Sequence, residues 1–99
     1  MRLRWTEKAS ADALSIHTFI AERSESYADS VYERLLVRPQ QLMDHPFSGS
    51  IVPEFGREDI REVFLHSFRL IFRVAPDEIQ ILTIVHGARI LDFQPPDGT

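Results

Sequence analysis

From Thr6 to about His45, apolar residues recur with the period of a helix. Ala9, Ala13, Ile16 and Ile20 follow one another at steps of four, three and four, so they share one face. Asp12, Ser15, Glu22 and Arg23 fall off that stripe and are expected to meet water. Thr6 precedes the first turn and is placed to accept a hydrogen bond from an orphan amide as an N-cap. Ser24 or Ser26 opens a second helix, whose stripe is Ala28, Val31, Leu35 and Leu42. The link between the two is so short that they must form an antiparallel hairpin. Pro39 falls inside the second helix and lacks an amide for the Leu35 carbonyl, which predicts a kink or short break near Arg38 and Pro39.

Pro46, Gly49 and Pro53 then interrupt the period and predict a loop from about His45 to Asp59. Beyond it the pattern is that of strands, over 60–65, 68–74 and 79–85, with His66-Ser67 and Ala75-Pro76-Asp77 as hairpin turns. Along the middle strand Phe68, Leu70, Phe72 and Val74 alternate with Arg69, Ile71 and Arg73, so the first set is expected to face the helices. The third strand is almost wholly apolar, as a central strand covered on both faces would be. Arg2 to Trp5 reads as a further short strand. The predicted fold is α+β: an N-terminal strand, an antiparallel helical hairpin, then a three-stranded antiparallel β-meander with the helices on one face.

At 99 residues the chain has room for one domain, 1–99, with 93–99 expected to fray because Pro95, Pro96 and Gly98 follow one another there. No apolar run approaches the roughly 20 residues that cross a membrane. The opening MRLRWTEKAS lacks a signal peptide's apolar stretch, so the expected address is the cytoplasm. Absence of cysteine removes disulfides, thiolate catalysis and thiolate metal sites. The net charge of −4, with Lys8 the sole lysine, argues against docking on many phosphates at once.

Candidate chemistry is sparse. The four histidines, His17, His45, His66 and His86, have no metal-ligand spacing, there is no glycine-rich phosphate loop, and no cofactor or metal is expected. Arg61, Arg69, Arg73 and Arg89 cluster in or after the strands, and guanidinium binds carboxylate or phosphate in a fork. Arg69 and Arg73 project from one face roughly 13 Å apart; ion pairs to Glu62 or Glu78 are their simplest use. Glu54, Arg69 and His86 would supply a base, an anion stabiliser and a proton donor if one cleft held all three. Gly87, beside His86, is expected at positive φ.

The runs HPFSG at 45–49, VPEFG at 52–56, IREV at 60–63, FRLIFRV at 68–74 and ILTIVHGAR at 81–89 together resemble the ParE/RelE superfamily, over about Leu3 to Leu91. These are toxins of bacterial type II toxin–antitoxin modules, often labelled plasmid stabilisation proteins. The resemblance implies two helices against a small curved antiparallel sheet, and a cognate antitoxin partner. ParE-type members bind DNA gyrase and lack a hydrolytic site, whereas RelE-type members cut mRNA on the ribosome. The lysines of the RelE pattern and its late tyrosine are absent here. Glu54 and Arg69 fit the glutamate and arginine of the YoeB-like ribonuclease branch, with His86 offset by about one position. The reading is therefore a ParE-like toxin; the alternatives are a ribosome-dependent mRNA endoribonuclease working through Glu54, Arg69 and His86, and a degenerate protein that only binds antitoxin. Tyr27, Tyr32, Leu36 and Phe93 are the apolar residues hardest to place in a core, which makes them candidate partner contacts. Arg69 is expected to pair with a carboxylate rather than to complete a catalytic cleft.

Overall fold

The computed structural model describes residues 1–87, 89, 91 and 93–95. Strand β1 (Arg2–Trp5) leads into helices α1 (Glu7–Ala21) and α2 (Glu25–Leu42). A short 3-10 turn at Pro46–Ser48 precedes β2 (Ser50–Ile51), and β3 (Ile60–Leu65), β4 (Phe68–Val74) and β5 (Glu78–His86) follow. The sheet runs β1-β5-β4-β3-β2, with β1 parallel to β5 and the other pairs antiparallel. The expected meander is β3–β5, and β1 lies where a further strand was read. The two-residue β2 adds a fifth strand, too short to carry any periodicity in the sequence. Among the described residues no helix is long and apolar enough to cross a membrane.

Both helix starts are capped by side chains. Thr6 accepts from the Ala9 amide at 3.1 Å and Ser24 from the Tyr27 amide at 3.2 Å. The expected break at Pro39 does not occur. That residue is buried in the final turn of α2, where only the Leu35 carbonyl loses a partner and packing holds the turn closed.

Alternation along the strands sorts side chains into two cores. Ala9, Ala13, Val31, Leu35, Leu42, Leu70, Phe72, Ile79 and Ile81 fill the space between helices and sheet, with Phe68 and Val74 packed at its margin. The register read for β4 is the one found. Val52, Ile60, Ile71 and Leu82 make a second core on the far face, roofed by Phe55, Leu91 and Phe93. The tail read as frayed from Phe93 thus begins packed, with the Phe93 ring centroid 6.5 Å from that of Phe55; residues 96–99 lie outside the described residues. Gly49 is small by necessity, since a Cβ there would sit 2.7 Å from the Glu62 carbonyl oxygen and 3.0 Å from the Phe72 ring.

One polar residue was misplaced by the helical wheel. Asp12 does not simply face water: its carboxylate accepts from the Thr83 hydroxyl at 2.6 Å and the Ile84 amide at 3.1 Å. Leu82 is the extra residue of a β-bulge, since Ile71 pairs with Thr83 and Phe72 with Ile81. β1 covers β5 only as far as Ile81. Beyond that point α1 and its cap supply the missing partners, with Asp12 taking the Ile84 amide and the Thr6 hydroxyl reaching the Leu82 carbonyl at 3.1 Å.

Phe72 is fully buried while Phe64 is 62% exposed. Chemical denaturation should therefore show Phe72→Ala losing about 3 to 5 kcal/mol. Phe64→Ala should stay within about 0.5 kcal/mol of the parent. Equal costs for the two would contradict the register.

Candidate functional site

The segment from Val52 to Asp59 crosses the sheet face away from the helices. Phe55 and Gly56 both donate their amides to the Val52 carbonyl at 3.1 Å, and Gly56 takes φ +61° to complete the turn. Val52 is buried in the second core, so the turn directs Glu54 back over the sheet. There the Glu54 carboxylate accepts both terminal nitrogens of Arg69, at 2.8 and 2.9 Å. The third nitrogen, Nε, donates to the buried Glu62 carboxylate, which sits one strand away. Arg69 is itself 6% exposed, so one cation is enclosed by two carboxylates.

A second clamp holds the other end of the segment. Asp59 accepts from Arg57 at 2.8 and 3.0 Å and from Arg73 at 3.1 Å, and Arg73 also reaches the Gln80 side chain at 3.4 Å. The hydrogen bonds from Arg69 bring the Glu54 pKa down from 4.5 to about 2, outweighing the cost of burial. Arg57, and after it Arg73, likewise hold Asp59 below its ordinary value. The paired carboxylates, Glu54 foremost, raise Arg69 above its usual range.

His86 does not join Glu54 and Arg69. It lies across from Phe68, on the face where Phe68 meets the helix-side core, and the two rings sit edge to face at 5.7 Å. The residue opposite Arg69 on β5 is Val85. The four arginines likewise form no single patch. Arg69 and Arg73 share the far face, as read, but both are ion-paired there. Arg61 turns to the helix side, donating to the carbonyls of Glu58 at 2.9 Å and Gly49 at 3.0 Å while lying 5.1 Å over the Phe47 ring. Arg89 is exposed just past β5, its amide bonded to the His86 carbonyl at 3.0 Å. Glu78, the other anticipated partner, binds Arg4 at 3.1 Å instead. Among the described residues no three His, Cys, Asp or Glu are grouped to hold a metal ion.

Two expectations need correction. Gly87 is not at positive φ; among the described glycines only Gly56 is. Glycine is suited to position 87 because its amide meets the Ser67 carbonyl at 2.7 Å, and a Cβ would lie 3.2 Å from that oxygen. Of the four apolar candidates for partner contact, Tyr27 and Leu36 are exposed, at 51% and 38%. Tyr32 instead packs at the core margin with its ring 5.6 Å from His17, and Phe93 roofs the second core.

The sequence reading passed over Asp59 as a clamp and Phe64 as an aromatic beside the site. Phe64 pairs with Arg69 across β3 and β4, and so shares its face. The strand alternation held that signal, since 64 and 69 are equidistant from the turn at 66–67.

The clamps set a direction for acid sensitivity. Glu54 and Asp59 have folded pKa values below their ordinary ones, so their stabilisation is complete above about pH 4.5 and drains away as the pH falls toward 2. Urea midpoints measured across that range should fall steeply for the parent and less steeply for Glu54→Gln. Parallel curves would mean that the Glu54–Arg69 pair contributes nothing.

Comparison with known proteins agrees with this architecture. The family model for the ParE toxin of type II toxin–antitoxin systems (parDE) matches residues 3–91. Among curated proteins none matches. A solved structure similar to this chain, the chromosomal ParDE TA system from P. aeruginosa, is 28% identical with a TM-score of 0.71, covering 87% of this chain and 95% of that one. With the family model spanning both helices and all five strands, the chain belongs to the ParE toxin family of type II toxin–antitoxin systems.

Proposed function

We propose that this chain inhibits growth in the cytoplasm by binding a protein target such as DNA gyrase, without hydrolysing RNA, and that a cognate antitoxin neutralises it. The observation that carries this reading is the occupancy of Arg69. Cutting RNA at a 2′-hydroxyl needs a base, a cation for the phosphorane charge and an acid, all within hydrogen-bond reach of the reacting atoms. Here every nitrogen of the guanidinium already serves a carboxylate. Glu54, held near pKa 2, is a weak base at neutral pH. His86 sits opposite Phe68 on the other face. The net charge of −4 further opposes docking on ribosomal RNA. The antitoxin half of the proposal is supported by membership of the ParE family and by the likeness to a ParDE TA system.

The ribonuclease alternative has one observation in its favour: the exposed Phe64 beside Arg69 offers a surface on which a base would stack. Controlled expression without antitoxin separates the two. Glu54→Gln and His86→Ala are expected to remain toxic, with gyrase cleavage complexes accumulating and mRNA intact. Loss of toxicity in both variants, together with mRNA cleavage by the parent, would overturn the proposal. A parent that is harmless when abundant would overturn both readings and leave a protein that only binds antitoxin.

A further inference from the structure

The free part of the β3 edge lies beside a groove whose charges are unmatched. Leu65 and Phe68 close the two-residue turn, so backbone bonds to β4 are made by Leu65, Val63 and Arg61, while Phe64, Glu62 and Ile60 point the other way. The Ile60 carbonyl accordingly accepts from Val52 at 3.2 Å, and β2 takes up Glu62. Phe64 lies past the end of β2, so its N–H and C=O face outward, and among the described residues no strand receives them. On the helix side of this edge, α2 and Leu65 bound an open groove of about 510 Å³, with Arg34, Val37 and Arg38 among its walls.

Arg34 and Arg38 are one helical turn apart, where like charges repel. Arg34 bonds to the His66 ring at 3.3 Å and Arg38 to the Gln41 amide oxygen at 3.5 Å. Neither has a carboxylate partner among the described residues, whereas Arg2, Arg4, Arg57, Arg69 and Arg73 all do. Glu33 also borders the groove, which leaves its rim at net +1 on a chain of net −4.

We propose that the outward edge of β3 at Phe64 and the groove bearing Arg34 and Arg38 form one docking site for an extended acidic–apolar–acidic segment of a partner protein. A strand added there exchanges two backbone bonds with Phe64 and sets one side chain against the exposed Phe64 ring. Its neighbours on either side project to the opposite face, over Val37 and Leu65. They are about 7 Å apart, close to the roughly 6 Å between side chains one helical turn apart. Acidic residues at those two positions therefore meet Arg34 and Arg38. The site deepens the antitoxin half of the proposed function and rests on it.

The test uses the full chain and the antitoxin encoded in the adjacent reading frame, with calorimetry and amide exchange followed by NMR. Arg34→Glu/Arg38→Glu should weaken binding at least about tenfold, and raised salt should weaken the parent complex. In the parent complex the Phe64 amide should exchange at least about tenfold more slowly than in the free protein. Unchanged affinity in the double variant, or an unprotected Phe64 amide, would overturn the docking site while leaving the antitoxin reading intact. Failure of the antitoxin to bind the parent at all would overturn that reading, and the site with it.

Discussion

A guanidinium on a sheet face that is then covered must be neutralised where it stands, and Arg69 is neutralised from two directions. Glu62 reaches it within the sheet and Glu54 reaches it from the covering segment. Removing either partner leaves the buried guanidinium with a single carboxylate and loosens the hold on the covering segment. The arrangement thus fixes where the segment from Val52 to Asp59 lies. That segment in turn roofs the second core, with Phe55 resting against Phe93. The Asp59 clamp on Arg73 secures the other end. Without these two ion clusters, Ile71 and Leu82 would form an apolar patch facing water.

The same clamp bears on function. A cation that serves its own fold on every nitrogen is a poor receptor for a phosphate, and a carboxylate engaged in the fork is a poor base. The family's binding role and the ribonuclease role draw on similar residues in the sequence. On the function proposed above, what distinguishes them is whether Arg69 faces a ligand or its own chain. Two cations that have no carboxylate among the described residues, Arg34 and Arg38, lie elsewhere, on the outer face of α2, beside the stretch of β3 that β2 does not cover.

Much of this was legible in the sequence because it depended on period. The stripes of α1 and α2 and the alternation Phe68, Leu70, Phe72, Val74 need only their spacing to be read, and the structure keeps them. The face shared by Arg69 and Arg73 followed from the same alternation. The features that escaped depend on meetings between distant segments. Asp12 sits off the apolar stripe, but a bulge in β5 exposes an amide that its carboxylate satisfies. Gly87 looked like a turn glycine, yet its smallness answers the close approach of the Ser67 carbonyl. Pro39 breaks an isolated helix, whereas here it lies in a last turn that the core already holds. His86 is near Arg69 in any list of polar strand residues, but one step of register sends it to the other face.

An Arg69 fork filled from within should be closed to external phosphate. NMR of the arginine Nε–H groups, followed as inorganic phosphate is titrated into the intact protein at neutral pH, tests it directly. The Arg69 resonance is expected to stay where it is, because its three nitrogens are committed to Glu54 and Glu62. A saturable shift of that resonance, lost in a phosphate-free control of equal ionic strength, would show Glu54 yielding to the anion and the fork open to phosphate.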